Sequence, residues 1–279
     1  MTGGQQERVV SEWQFGLPPR KENVGVDGPW EVRKEVRRLV GQGYDCIKTY
    51  ASGGGYIRHP WDRFWSDQRN YTLDELEAIA DEAHAAGRKV AIHAIANREG
   101  VKNAIAAGAD TIEHSVFLDE EDVEKMKDRG IFYVPTLSFL QVIWDTDDEK
   151  RMEYLRIKKE DAKRYLENHI ESFRRAHQNG VRIALGSDVY RVLRQGDNAY
   201  ELESMLKAGM PEVEVLVSAT KTASEALGID QLVGSVEEGK LADLLVVDPS
   251  PLTNISILRN RNHLKLIIKN GEIISQKFF

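Results

Sequence analysis

Short apolar runs alternate with longer amphipathic ones along this chain, and the two periods predict a succession of strands and helices. After a polar opening punctuated by Pro18, Pro19, Gly25, Gly28 and Pro29, an amphipathic helix is predicted over Trp30–Val40, stopped by Gly41 and Gly43. Asp45–Tyr50 (DCIKTY) reads as a strand broken by Gly53, Gly54 and Gly55. Thr72 and Glu75 form a capping-box signature for a helix over Leu73–Ala86, and Gly87 closes it. Strands follow at Lys89–Ala94, Asp110–His114, Ile131–Pro135 and Val181–Leu185. Between and after them lie helices at Glu99–Ala107, Asp119–Asp128, a charged stretch Asp147–Gln178, Ala199–Ala208 and Glu212–Leu227. Strand–helix alternation predicts a parallel sheet with right-handed crossovers. The character then changes: Leu241–Val247, His263–Lys269 and Glu272–Ser275 are short strands parted by turn signals, so the tail reads as a small β subdomain. The expected organisation is an irregular segment over 1–40, an α/β body over 41–230 and the β subdomain over 231–279.

Charge and cysteine content narrow the function. A net charge of −7 gives no reason to expect nucleic acid or an anionic membrane as partner. No apolar run reaches the ~20 residues of a membrane span. Cys46 is the only cysteine, which excludes an intrachain disulfide and suits a reducing compartment. With no apolar leader at the N-terminus, the expected location is cytoplasmic.

Candidate chemistry clusters at the predicted strand ends. Lys48, His93, His114 and Asp188 each stand near the C-terminal end of a strand or strand-like run, the face where (β/α) barrels build their sites. Alternation puts Cys46, Lys48 and Tyr50 on one face, and likewise Ala91 with His93 and Ile112 with His114. Neutral imidazoles suit zinc and similar borderline metals, and a carboxylate is suited to receive a proton from an activated water and return it to a leaving amine. A protonated lysine binds no metal, whereas its CO₂ adduct, a carbamate, is a carboxylate that does. His84, His169, His177 and His263 are read as structural. The loop Tyr56–Trp65 is aromatic and basic: either it is a lid in which Arg58 and His59 meet a substrate, or it is only a packed loop.

At these residues the sequence resembles the amidohydrolase superfamily, in the group of imidazolonepropionase-like proteins and metal-dependent Xaa-Pro dipeptidases. The resemblance lies in GYDCIKTYASGGG (43–55), GRKVAIHA (87–94), AIAAGADTIEHSVFLDEE (104–121), PTLS (135–138), ALGSD (184–188), ELESMLKAGM (201–210) and LVGSVEEGKLADLLVVDPSPL (232–252). It implies roles for individual residues. Lys48 matches the strand-4 lysine that becomes a carbamate, His93 the strand-5 ligand and His114 the strand-6 ligand. Asp188 matches the strand-8 carboxylate that binds metal and moves the proton, and Tyr50 a tyrosine that contacts the substrate. Two departures stand out. Ile95 takes the place of a second strand-5 histidine, and no His-x-His pair of the strand-1 kind occurs. The resemblance therefore implies an incomplete (β/α)8 TIM-type barrel, strands 4 to 8, with a small C-terminal β subdomain. It further implies a divalent metal, zinc foremost, with one or two ions and the second site incomplete. The implied substrate is a small-molecule amide such as a dipeptide or N-acyl amino acid. The alternatives are a catalytically inactive remnant, either a gene fragment or a chain whose barrel another polypeptide completes, and a metal-binding protein without turnover; the expected macromolecular partner is a second copy of the chain or a completing N-terminal polypeptide.

Overall fold

The structure is a computed structural model and describes residues 26–52, 69–95, 97–146, 159–189, 193 and 196–276. Two compact units divide the chain: Met1–Tyr133 with Glu167–Arg182, and Val134–Leu166 with Ile183–Phe279.

In the first unit the order is α1 (Gly28–Gly41), β1 (Cys46–Tyr50), α2 (Leu73–Ala85), β2 (Lys89–Ala94), α3 (Arg98–Ala106), β3 (Thr111–His114), α4 (Glu120–Asp128) and β4 (Phe132–Val134). The four strands form one open sheet in the order β1-β2-β3-β4. β2 lies parallel to both β1 and β3. One side of this sheet carries Ile47, Val90, Ile92 and Ile112, all nearly inaccessible; burying each aliphatic side chain contributes about 1.5–3 kcal/mol. α1 packs on α2, each supplying an apolar stripe, Val32, Val36 and Leu39 from one and Leu76, Ile79 and Ala83 from the other. Glu75 joins the two helix starts: one carboxylate oxygen accepts from the Thr72 amide at 2.8 Å and the other from the Gly28 amide at 2.8 Å.

The N-terminal end of the sheet is held by Asp110, just before β3. Its carboxylate accepts from Lys89 Nζ at 2.7 Å and from the Val90 amide at 2.8 Å, and it meets His84 Nε2 at 2.8 Å. Burial pushes this carboxyl's pKa up, but Lys89, the Val90 amide and His84 together bring it below the usual aspartate value. His84 is thus a structural partner.

The second unit contains α5 (Ser138–Thr146), the start of α6 (Lys159–Gln178), α7 (Tyr200–Lys207), α8 (Glu212–Ala219) and α9 (Lys221–Leu227). It ends in an antiparallel sheet ordered β5 (Leu244–Val247), β6 (Leu264–Lys269) and β7 (Glu272–Gln276). Leu245, Ile273 and Ile274 of this sheet are 57%, 60% and 61% exposed. Among the described residues no helix is long and apolar enough to cross a membrane.

Two expectations from the sequence are corrected. The helix over 212–227 is split at Thr220, whose backbone leaves the helical region and whose hydroxyl donates back to Leu216 O at 2.7 Å. The strand over 181–185 shrinks to a bridge at Ile183. There the Arg182 carbonyl still accepts from the Tyr133 amide at 2.9 Å, but the Leu185 amide turns to Ser218 O at 3.1 Å, at the end of α8.

Candidate active site

β1 ends in Lys48, Thr49 and Tyr50. Thr49 is fully buried while Lys48 and Tyr50 are half-buried, so alternation places Lys48 and Tyr50 together on the face opposite the apolar side. The register sets Lys48 beside Ala91 and Tyr50 beside His93, and continues from His93 to Glu113. The Tyr50 and His93 rings lie 4.5 Å apart, and Lys48 Nζ is 5.8 Å from the Tyr50 ring centre.

His114 reaches this cluster by a different route from the one alternation predicts. Its register partner is Ala94, and Ile112 is buried beside Ile92 on the apolar side. A regular strand would send His114 to that side too. Instead β3 ends with His114 at φ 75° and Ser115 at φ 35°, left-handed conformations that bulky residues rarely adopt. The turn brings the His114 ring edge-on to His93, with centroids 4.5 Å apart. The buried Tyr133 hydroxyl holds the turn, donating to His114 O at 2.7 Å and lying 3.0 Å from Ser115 O. Ser115 Oγ ties it to Ala94 O at 2.8 Å. Such strain persists only where its surroundings enforce it, and it concentrates at functional sites.

The face that alternation assigned to Ile112 and His114 belongs to Thr111 and Glu113. Glu113 forms an ion pair with Lys48, and the Thr111 hydroxyl donates to its other oxygen. Sequence reading missed Glu113, although its alternation with Thr111 was visible. His169, read as structural from sequence, lies near the site. That residue sits on a strongly charged helix, yet it is fully buried and its charge acts on His114. One helical turn further on, Ser172 anchors α6 to the segment after β3, accepting from Leu118 N at 3.0 Å and donating to Val116 O at 2.7 Å.

Burial drives the His114 pKa well below the ordinary histidine value, and the nearby charges of His93, Lys48 and His169 push it the same way. Burial therefore favours the neutral form of the His114 imidazole. Two imidazoles in contact, His93 and His114, are a donor set that suits a borderline divalent cation. Among the described residues, however, no group of three or more His, Cys, Asp or Glu side chains stands ready to hold an ion. Lys48 as an ammonium adds a repelling charge, and only as a carbamate does it supply a third donor.

Asp188 belongs to the second unit. It is exposed and lies at φ 43°, directly after Gly186 and Ser187. An added Cβ on Gly186 would collide with Val134 Cγ1, so a larger residue there would force its neighbours to shift. Arg58 and His59, with the rest of the Tyr56–Trp65 loop, lie outside the described residues. Ile95, where a second strand-5 histidine was looked for, is buried in the core.

A parallel strand–helix succession with polar side chains gathered at the C-terminal ends of its strands is the arrangement of the (β/α) barrel enzymes. The chain belongs to the amidohydrolase family, whose family model matches residues 14–274. Ochratoxinase of Aspergillus niger is 30% identical over 249 residues, 88% of this chain and 50% of that protein. Its crystal structure superimposes with a TM-score of 0.79 at 28% identity, covering 94% of this chain and 57% of that one. A crystal structure of a Xaa-Pro dipeptidase with methionine bound in its active site gives a TM-score of 0.76 at 32% identity, covering 90% of this chain and 59% of that one. The imidazolonepropionase of Geobacillus thermodenitrificans is 27% identical over 210 residues, 73% of this chain and 44% of that protein. The chain thus spans about half the length of the curated relatives it matches.

Proposed function

We propose that this chain carries strands 4 to 8 of a (β/α)8 amidohydrolase barrel, with its small β subdomain, and hydrolyses the amide C–N bond of a small molecule such as a dipeptide or N-acyl amino acid. The observation that carries this reading is the pair of buried imidazoles, His93 and His114, in contact at the strand ends beside Lys48 and Tyr50. Relatives named as a dipeptidase and as ochratoxinase support the bond class.

In this reading His93 and His114 would offer ring nitrogens to a divalent cation, zinc foremost, and Lys48 would join them after reacting with CO₂. When bound, the cation polarises the amide carbonyl and makes water acidic enough to attack near neutral pH. Asp188 takes a proton from the attacking water. As the C–N bond breaks, Asp188 returns that proton to the departing nitrogen, so the products are an amine and a carboxylic acid, which then ionises to solvent. Tyr50 donates its hydroxyl hydrogen to the carbonyl oxygen as negative charge develops there. Arg58 pairs with a substrate carboxylate, and His59 completes that contact. We assign no nucleic-acid or membrane partner, and we place the protein in the cytoplasm.

The test is hydrolysis of a panel of dipeptides and N-acyl amino acids by the purified chain, with and without added zinc and bicarbonate, alongside elemental analysis. Zinc-dependent turnover that is abolished in His114→Ala is the expected result. Turnover indifferent to chelators, or surviving in His93→Ala and His114→Ala alike, overturns the reading. A second reading, a catalytically inactive fragment or one completed by another polypeptide, draws on the Lys48–Glu113 ion pair, which engages the Lys48 amine with a carboxylate. In that case the isolated chain binds at most one ion weakly and hydrolyses nothing on the panel.

A further inference from the structure

In the second unit, outside the residues assigned above, a carboxylate is buried completely. Glu201, near the start of α7, accepts from the Leu137 amide at 2.8 Å and from the Ser138 amide at 2.7 Å. These donors lie where the chain enters α5, so Glu201 caps that helix from another element, where a negative charge is favoured. The residue just before them, Thr136, is buried at φ 55°, a conformation poorly suited to a β-branched side chain. The capped amides fix the far side of this kink.

The same cluster extends to the segment that carries Asp188. Ser138 Oγ lies 3.3 Å from Ser187 O and is also within hydrogen-bond reach of Glu201. Gly186 packs so closely that an added Cβ would fall 3.9 Å from Thr136 Cγ2 as well as against Val134. The next strained residue along the chain is Asp188 itself. Two left-handed non-glycine residues, Thr136 and Asp188, are thus linked through Ser138 to one buried carboxylate.

We propose that Glu201 is a positioning residue for Asp188: by holding the Leu137 and Ser138 amides, it sets the Thr136 kink and, through Ser138, the Ser187–Asp188 turn. This rests on the reading above in that Asp188 is taken as the proton-moving group. Burial raises the Glu201 carboxyl to about 7 against the pull of its Ser138 and Leu137 donors, and the charge of Asp188 adds to the rise. The clamp and the Asp188 turn therefore sense one another electrostatically as well as through Ser138.

The experiment uses the full chain, isotopically labelled, as wild type and as Glu201→Gln and Ser138→Ala. The φ-dependent HN–Hα couplings of Thr136 and Asp188 are measured by NMR, with Leu185 and Val215 as controls. Glu201→Gln is expected to change the couplings of both Thr136 and Asp188. Ser138→Ala is expected to change that of Asp188 while sparing Thr136, since Glu201 keeps its grip on the two amides. A merely structural role would lower the melting temperature and leave both couplings where they are; that outcome in folded Glu201→Gln overturns the proposal. If Glu201→Gln does not fold, an unchanged Asp188 coupling in Ser138→Ala overturns it instead. In the hydrolysis assay, Glu201→Gln should lower kcat by about tenfold with little change in KM, the pattern of a lost transition-state alignment. An inactive wild type refutes the hydrolase reading and leaves the couplings to decide the clamp.

Discussion

At the scale of single residues, the candidate site is a matter of backbone conformation as much as of side-chain identity. His93 follows the strand period and was legible from sequence. His114 was legible as a residue but not as a geometry. Its face was assigned by alternation, whereas its ring meets His93 because β3 ends in a left-handed turn. No local pattern predicts that turn, since the hydroxyl that enforces it belongs to Tyr133 on the next strand. Glu113 was missed for a related reason: once His114 is taken to point to the chemistry, its neighbour is assigned to the other side. The role of Tyr133 has a direct consequence. Tyr133→Phe keeps the packing and removes the hydroxyl that bridges the His114 and Ser115 carbonyls, so the turn loses about 1–3 kcal/mol of support. Under the zinc-binding reading proposed above, zinc affinity, measured by competition with a chromophoric chelator, should weaken about tenfold or more, as for loss of a group that orients a ligand. Unchanged affinity would mean that the turn is fixed by Ser115 and the strand alone.

At the scale of elements, the helix starts and the parallel strands were the clearest parts of the sequence. The Thr72–Glu75 signature marks the start of α2 as found, because capping is a local interaction. The strand over 181–185 misled because its apolar alternation is genuine, while the partner of its Leu185 amide is an α8 carbonyl that sequence period cannot reveal. The long charged helix hid the burial of His169, since composition suggests an exposed surface while only packing decides which residues of it are buried. Asp110 gives this scale its own test. Asp110→Ala removes three contacts that hold the opening of β2, and should cost about 2–3 kcal/mol by denaturant unfolding. The sign of the pH effect follows from the lowered carboxyl. An aspartate that holds its charge more firmly when folded contributes stability above its unfolded pKa and loses it as pH falls through its folded value. The wild type should therefore lose more stability on acidification below about pH 4 than Asp110→Asn does. Parallel acid profiles for the two proteins would show that Asp110 is not the group responsible.

At the scale of the whole molecule, the alternation of strands and helices was enough to give the α/β class. The small antiparallel sheet at the C-terminus was legible from its turn signals. Its burial was not, because burial depends on what lies against the sheet. Leu245, Ile273 and Ile274 remain largely exposed on it, with the consecutive Ile273 and Ile274 on opposite faces of their strand, and apolar surface left uncovered favours association. We expect the isolated chain to self-associate. Size-exclusion chromatography with light scattering should show a mass that rises with concentration, and Ile273→Lys combined with Leu245→Lys should bring it back to one chain. A concentration-independent monomer in the wild type would count against this expectation.

Cys46 opens β1 and is exposed, and it is the only thiol in the chain. Since one thiol can make one covalent link, air oxidation can join two molecules and no more, so a non-reducing gel should stop at the dimer band however large the reversible assemblies become. The same thiol shares a strand face with Lys48. A spin label or fluorophore attached there would sit two positions from the amine on which the proposed chemistry depends, giving a spectroscopic view of that amine without replacing any residue of the candidate site.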